Sequence, residues 1–292
     1  AFPVLVPEPY LNRIRRGDPN DPLLRQVLTL PLETVTPQGF TTDPLQEKEA
    51  RGPDGASLIQ KYARRTLLIA TGACAIHCRY CFRRHFPYGE VGLTPERMRE
   101  TLKAVAADAS IDEVILSGGD PLSLNDRKLA SLVSAIEEIG HVRRLRIHTR
   151  LPVVIPQRVT RSLVRILERT RLAAWVVLHI NHVQEIDAQV ERALSRLTRA
   201  GIPVLNQAVL LRGVNDSVDA LEALCRRLVD IRVAPYYLHQ LDRVAGAAHF
   251  EVPEEEGRRL IAALLERLPG YAIPRYVREE AGAPSKTPLT SI

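Results

Sequence analysis

One stretch decides the fold: Thr66-Leu67-Leu68-Ile69-Ala70-Thr71-Gly72-Ala73-Cys74-Ala75-Ile76-His77-Cys78-Arg79-Tyr80-Cys81. The apolar run from Thr66 to Ala70 reads as a buried strand. Directly after it, three of the four cysteines of the chain fall within eight positions, spaced C-x3-C-x2-C with an aromatic before the last. Reactive side chains at the C-terminal end of a strand are the arrangement parallel α/β folds use for their sites.

The same unit repeats downstream. Candidate strands are Thr66–Ala70, Glu113–Ser117, Arg144–His148, Trp175–Ile180, Val204–Leu210 and Ala234–Leu238. Between them, apolar residues at spacings of three and four predict helices near Pro95–Ala107, Arg127–Ile139, Thr160–Arg169, Asp187–Ala200 and Ser217–Asp230, with another near Pro253–Leu268. Gly140 and Gly201 are placed as C-terminal caps, and Gly213 as part of a loop after a strand. Strand–helix alternation implies parallel strands joined by right-handed crossovers. Six units suit a partial (β/α)6 barrel better than a closed eightfold one. Ser117-Gly118-Gly119-Asp120-Pro121, His148-Thr149-Arg150 and His179-Ile180-Asn181-His182 all fall at expected strand ends.

Upstream the sequence is irregular, with turn formers at Gly17-Asp18-Pro19-Asn20-Asp21-Pro22 and Asp43-Pro44. Residues 1–60 are therefore expected to form an N-terminal arm with short helices, one near Pro22–Leu28. Residues 61–292 are expected to form a single catalytic domain. No apolar run approaches the roughly 20 residues of a membrane helix. The Pro-rich start, Ala1 to Pro9, lacks a signal-peptide pattern, so a cytoplasmic protein is expected, with no membrane partner. The formal charge of +6 is carried by scattered basic residues rather than by a tail, which argues against nucleic acid.

Clustered cysteines without a secretion signal point to a metal rather than to disulfides. Three thiolates on one tight loop can hold three irons of a [4Fe-4S] cluster and leave the fourth open to a small molecule. Zinc would need a fourth ligand, for which His77 is available, but a structural zinc loop rarely follows the first strand of a barrel. A redox pair of Cys78 and Cys81 would leave Cys74 unexplained. Cys225 lies on an amphipathic helix and reads as a core residue.

The cysteine motif resembles that of the radical S-adenosylmethionine superfamily, in which the open iron binds the methionine end of S-adenosylmethionine. Ser117-Gly118-Gly119-Asp120-Pro121 resembles the family's glycine-rich strand end. From about Phe40 to Leu289 the chain is similar to the lysine 2,3-aminomutase family. Its short bacterial branch, which supplies β-lysine for modifying elongation factor P, shares Arg79-Tyr80-Cys81-Phe82-Arg83-Arg84-His85-Phe86-Pro87-Tyr88. Asn206–Asp216, Pro235-Tyr236-Tyr237-Leu238, Ala247-Ala248-His249-Phe250 and Pro284-Ser285-Lys286-Thr287-Pro288 match the wider family.

The resemblance implies a fold and a chemistry. The fold is a partial (β/α)6 radical SAM barrel with an N-terminal arm and a C-terminal segment bearing the lysine for pyridoxal 5'-phosphate. The reaction is conversion of L-α-lysine to β-lysine by hydrogen abstraction and a 2,3 shift of the amino group. Cys74, Cys78 and Cys81 would ligate the cluster. Gly118, Gly119, Asp120 and His179 would bind S-adenosylmethionine. Lys286 would attach pyridoxal phosphate, with Lys61, Tyr62, Arg65 and Gln207 around it. Arg83 would pair with the substrate carboxylate, and Asp242 and Glu279 with its distal ammonium. Glu279 stands where the family usually has Asp, with Glu280 beside it as the other candidate. Read alone, Lys61 and Arg65 are better taken as a solvated basic stretch and Lys286 as a solvated lysine, and His179 is as easily a core histidine. The expected partner is a β-lysine ligase acting on elongation factor P, since the chain ends at Ile292, soon after Lys286. A free-standing aminomutase making β-lysine as a metabolite is the nearest alternative, and a zinc-bearing nucleic-acid-binding module the more distant one.

Overall fold

The computed structural model describes residues 2–48, 50, 57–88 and 94–290, so parts of the expected arm, and both termini, lie outside the described residues. One sheet organises them. Its nine strands are β1 (Leu58–Tyr62), β2 (Arg65–Thr71), β3 (Glu113–Gly118), β4 (Arg144–Thr149), β5 (Ala173–Leu178), β6 (Val204–Val209), β7 (Ala234–His239), β8 (Arg275–Arg278) and β9 (Thr287–Pro288), hydrogen-bonded in that sequential order. Strands β2 to β8 run parallel, while β1 and β9 pair antiparallel at the two ends. The expected six parallel strands are thus joined by a seventh, β8, and by two edge strands. The partial-barrel architecture stands.

Helices α1 (Glu8–Leu11), α2 (Pro22–Arg25), α3 (Pro95–Ala107), α4 (Asp126–Glu137), α5 (Leu151–Val154), α6 (Arg161–Arg169), α7 (Ala188–Arg199), α8 (Val218–Asp230) and α9 (Glu254–Arg267) complete the order. The long ones start where side-chain oxygens satisfy free backbone N–H groups. Thr94, Asn125, Thr160, Asp187 and Ser217 each cap in this way, which stabilises a helix by about 1 kcal/mol per cap. Helix α9 has no such cap and instead carries Glu254, Glu255 and Glu256 in its first turn, where the helix dipole favours negative charge. Buried residues on α4 (Leu129, Leu132, Val133, Ile136) and α7 (Val190, Ala193, Leu194, Leu197) recur at helical spacing and join one continuous core against the sheet. Cys225 is buried on α8, as expected of a core residue.

Some local expectations shift. Strand β5 ends at Leu178 rather than Ile180, because the Ile180 N–H is taken by the Asn206 side chain at 2.9 Å instead of by a neighbouring strand. The helix expected from Pro22 to Leu28 is the single turn α2, capped by Asp21. Gly201 has the left-handed φ of +76° that a helix-terminating glycine needs, but Gly140 does not adopt a positive φ. Strand β1 spans the expected arm–domain boundary at residue 60. The arm is fastened to the barrel: Thr41 bridges Val244, and the His77 and Arg79 amides donate to Leu5 and Gln26 at 2.9 Å each. Arg79, buried to 1% exposure, and Arg84 both hold Glu33 of the arm.

Candidate active site

The C-terminal ends of the parallel strands open into a cavity of about 780 Å³. All but one of the site residues expected from the sequence line it: Cys74, Cys78 and Cys81; Gly118, Gly119, Asp120 and His179; Lys61, Tyr62, Arg65, Gln207 and Lys286; Arg83, Asp242 and Glu279, but not the alternative Glu280. The cysteine loop and the lysine near the far end of the chain therefore face one space.

The cysteine loop lies directly on the end of β3. The Gly119 and Asp120 amides donate to the carbonyls of Thr71 and Ala73 at 2.7 and 2.8 Å. A Cβ on Gly118 would lie 2.6 Å from the Thr71 carbonyl oxygen, and one on Gly119 only 2.3 Å from that of Ala73. The glycines are thus required by the approach of the cysteine loop itself. Gly118 also needs its φ of +117°. Asp120 is consumed structurally: its oxygens accept from Thr149 Oγ1 (2.7 Å) and from the amides of Leu122 (3.0 Å), Arg150 (2.7 Å) and Leu151 (3.0 Å). These four bonds occupy the lone-pair sites of a carboxylate.

Burial, together with the neighbouring thiols, pushes Cys74 far up and Cys81 up to about 12. Each thiolate charge opposes the next, so three of them together require an electron-poor centre, and a thiolate-ligated iron cluster fits that donor set. Among the described residues, no three His, Cys, Asp or Glu side chains form a set for a single metal ion.

Across the cavity runs a chain of alternating charges. Both oxygens of Glu47 accept from Arg83, from Nε at 2.7 Å and from Nη2 at 2.9 Å. Arg83 Nη1 donates to Ser117 Oγ at 3.0 Å. Lys61 Nζ lies between Glu47, at 3.1 Å, and Glu279, at 3.0 Å. Glu279 in turn pairs with Lys286. The ammonium of Lys61 is therefore balanced by two carboxylates and sits apart from the role of a lone phosphate-binding cation. Burial alone would raise Glu47 and Glu279, yet Arg83 and Lys61 hold the first, and Lys286 and Lys61 the second, below the usual carboxylate range. Burial, with Glu279 nearby, pushes Asp242 up to about 7. Glu280 turns away, to Arg278 and Thr287.

The remaining walls carry aromatic rings, histidines and further arginines. The Arg65 guanidinium lies 4.6 Å from the Tyr62 ring centroid, and Lys286 Nζ lies 5.9 Å from that of Tyr237. His179 meets Gln207 at 3.3 Å and is pushed down to about 3 by burial, with Arg150, Arg83 and Lys286 nearby. Burial likewise lowers His148 and His239. Their Nε2 atoms are buried without hydrogen-bond partners among the described residues, which suits a cavity that takes a polar guest.

Sequence reasoning did not single out Glu47, Arg150 or His239. Glu47 lies in an irregular segment without a pattern to mark it. Arg150 stands in a strand-end triplet whose position was noticed, and that position was the available signal.

Comparison with known proteins gives the same picture. A family model described as the Radical SAM superfamily matches residues 68–225. The chain is 48% identical over 288 residues to an L-lysine 2,3-aminomutase of Escherichia coli (strain K12), covering 99% of this chain and 83% of that one. It is 38% identical to an L-lysine 2,3-aminomutase of Clostridium subterminale, covering 96% and 67%. Among solved structures, SuiB of Streptococcus suis bound to its precursor peptide SuiA aligns at a TM-score of 0.56 and 16% identity, over 72% of this chain and 47% of that one. A radical SAM methyltransferase from Sphaerobacter thermophilus aligns at 0.53 and 20% identity, over 75% and 68%. These two likenesses are of fold alone. With near full-length identity to the aminomutases and a match to the superfamily model, the chain belongs to the lysine 2,3-aminomutase family of radical SAM proteins.

Proposed function

We propose that the protein moves the amino group of L-lysine from C2 to C3, giving β-lysine, with an iron–sulfur cluster, S-adenosylmethionine and pyridoxal phosphate as its cofactors. The observation that carries this reading is the shared cavity, lined at once by Cys74, Cys78 and Cys81, by Lys286, and by Arg83, Asp242 and Glu279. When bound, the cofactors supply one-electron hydrogen abstraction and an aldehyde that carries the migrating nitrogen.

The residues of the chain bind, orient and exclude. Arg83, its plane fixed by Glu47 and Ser117, meets the substrate carboxylate. Glu279 and Asp242 face the distal ammonium. Glu279 already pairs with Lys61 and Lys286, so a substrate lacking that ammonium leaves the Asp242 carboxylate without this partner, at a cost of about 1–3 kcal/mol. Gln207, Tyr62 and Arg65 line the same cavity as Lys286 and would help to hold the pyridoxal group there. The neutral histidines His148, His179 and His239 add polar walls without competing positive charge.

The shared Arg79–Tyr88 signature supports a role in β-lysylation of elongation factor P, with the product passed to a β-lysine ligase in the cytoplasm. No helix among the described residues is long and apolar enough to cross a membrane. Protein purified without oxygen should be brown, contain iron and sulfide, yield a borohydride-trapped adduct at Lys286, and convert lysine to β-lysine. A colourless zinc protein without that adduct would end this reading. Unmodified elongation factor P after deletion of the gene separates the translation role from free β-lysine production.

A further inference from the structure

We propose that Arg150 is a positioning residue for the iron–sulfur centre, donating a hydrogen bond to the Cys78 sulfur and thereby raising the reduction potential of the cluster. The inference rests on the cluster assignment above. Arg150 Nη1 lies 2.8 Å from Cys78 Sγ. A guanidinium cannot be deprotonated in a protein, so this atom is always a donor. Donation to a ligand sulfur draws electron density from it and makes the added electron more favourable, one of the levers by which proteins tune such clusters.

Nη2 of Arg150 is fixed by groups from three directions. Nη2 donates to Gln26 Oε1 at 2.7 Å, to Glu185 Oε2 at 2.8 Å and to Tyr10 Oη at 3.3 Å. Its backbone N–H donates to Asp120 at 2.7 Å. The rings of Tyr10 and Tyr80 flank the guanidinium at 5.3 and 5.7 Å. Glu185 does not take the guanidinium as a two-pronged pair. Its other oxygen accepts from Gln26 Nε2 and from the amides of Asn181 and His182. A plain buried ion pair would turn both prongs onto the carboxylate; here one nitrogen serves the carboxylate and the other the sulfur. The Gln26 carbonyl also receives the amide of Arg79, the residue after Cys78. One arm residue therefore fixes both the sulfur donor and the backbone beside the sulfur.

The test is a redox titration of the full-length, cluster-loaded protein without S-adenosylmethionine, followed by electron paramagnetic resonance. Arg150→Gln should lower the ratio of reduced to oxidised cluster about tenfold at the wild-type midpoint, equivalent to ~59 mV for one electron. Arg150→Lys keeps the positive charge but replaces two separate nitrogens, one facing Cys78 and one facing Glu185, by a single ammonium drawn toward the Glu185 carboxylate; it should shift in the same direction by less. If Arg150→Gln does not take up iron, Arg150→Lys decides the matter alone. A wild-type midpoint in a variant with full iron and sulfide overturns the inference. A wild type without iron and sulfide removes both this inference and the functional reading, whereas a wild type that holds the cluster but leaves lysine unchanged removes only the latter.

Discussion

Glu47 closes both carboxylate oxygens on Arg83, at 2.7 and 2.9 Å, and shares one of them with Lys61 at 3.1 Å. The arginine expected to meet the substrate is thus aimed by a residue of the irregular arm. The side chains of the pair are only 7% and 3% exposed. Glu47→Gln leaves a buried guanidinium without its counter-charge, which should cost about 3–5 kcal/mol. Urea unfolding measures that loss, and the KM for lysine should rise as the arginine loses its fixed plane.

The same pairing sets an acid limit. Glu47 and Glu279 are held below the usual glutamate range in the folded chain. On acidification the unfolded chain takes up protons first, so stability falls as pH falls. The stabilisation is complete above about pH 4.3, the ordinary glutamate value, and is lost progressively below it as the native carboxylates are protonated. Melting temperatures followed from pH 7 to pH 3 should drop more steeply for the wild type than for a Glu47→Gln/Glu279→Gln double variant.

Asp242 behaves oppositely. Burial, with Glu279 nearby, holds its carboxyl up to about 7. Below that pH it is largely protonated and offers the substrate ammonium no charge; above it the carboxylate forms. The KM for lysine should therefore fall as pH rises through about 7, and Asp242→Asn should weaken binding and flatten that dependence. A wild-type slope in the variant would remove Asp242 from substrate recognition.

Lys286→Ala should lose the borohydride-trapped pyridoxal adduct and all turnover while retaining wild-type iron and sulfide, because Lys286 is remote in sequence from the cysteine loop. Glu279→Asp should keep the adduct. Its shorter arm cannot hold both Lys61 and Lys286, so it should raise the KM for lysine more than it lowers kcat.

Gly119→Ala places a methyl group 2.3 Å from the Ala73 carbonyl oxygen. Overpacking against backbone should cost about 1–3 kcal/mol. The cysteine loop has to move to relieve it, so iron content should fall along with the melting temperature.

The parallel strands were legible because a strand buried on both faces must be an apolar run, as Val114 to Leu116 and Val176 to Leu178 are. Strands β1 and β9 were not legible. Gln60, Lys61 and Thr287 carry no apolar alternation, and these strands form only because a neighbouring strand offers its edge. Strand β8 is too short, at four residues, to show a period. The cysteines, Lys286, Arg83 and Asp242 were found through motifs. Glu47 and Arg150 were not found, because their roles exist only in three dimensions: each is defined by which distant groups it touches. Glycines 118 and 119 were expected to admit a ligand; the neighbour that demands them is the cysteine loop.

Lys61 belongs to β1 and Glu279 follows β8, near opposite ends of the hydrogen-bonded strand order, yet their charges meet at 3.0 Å. The barrel is therefore stitched by amides along its wall and latched by salt across its mouth. Loss of that salt contact would break no strand pairing, so the closure of the mouth and the integrity of the wall rest on separate bonds.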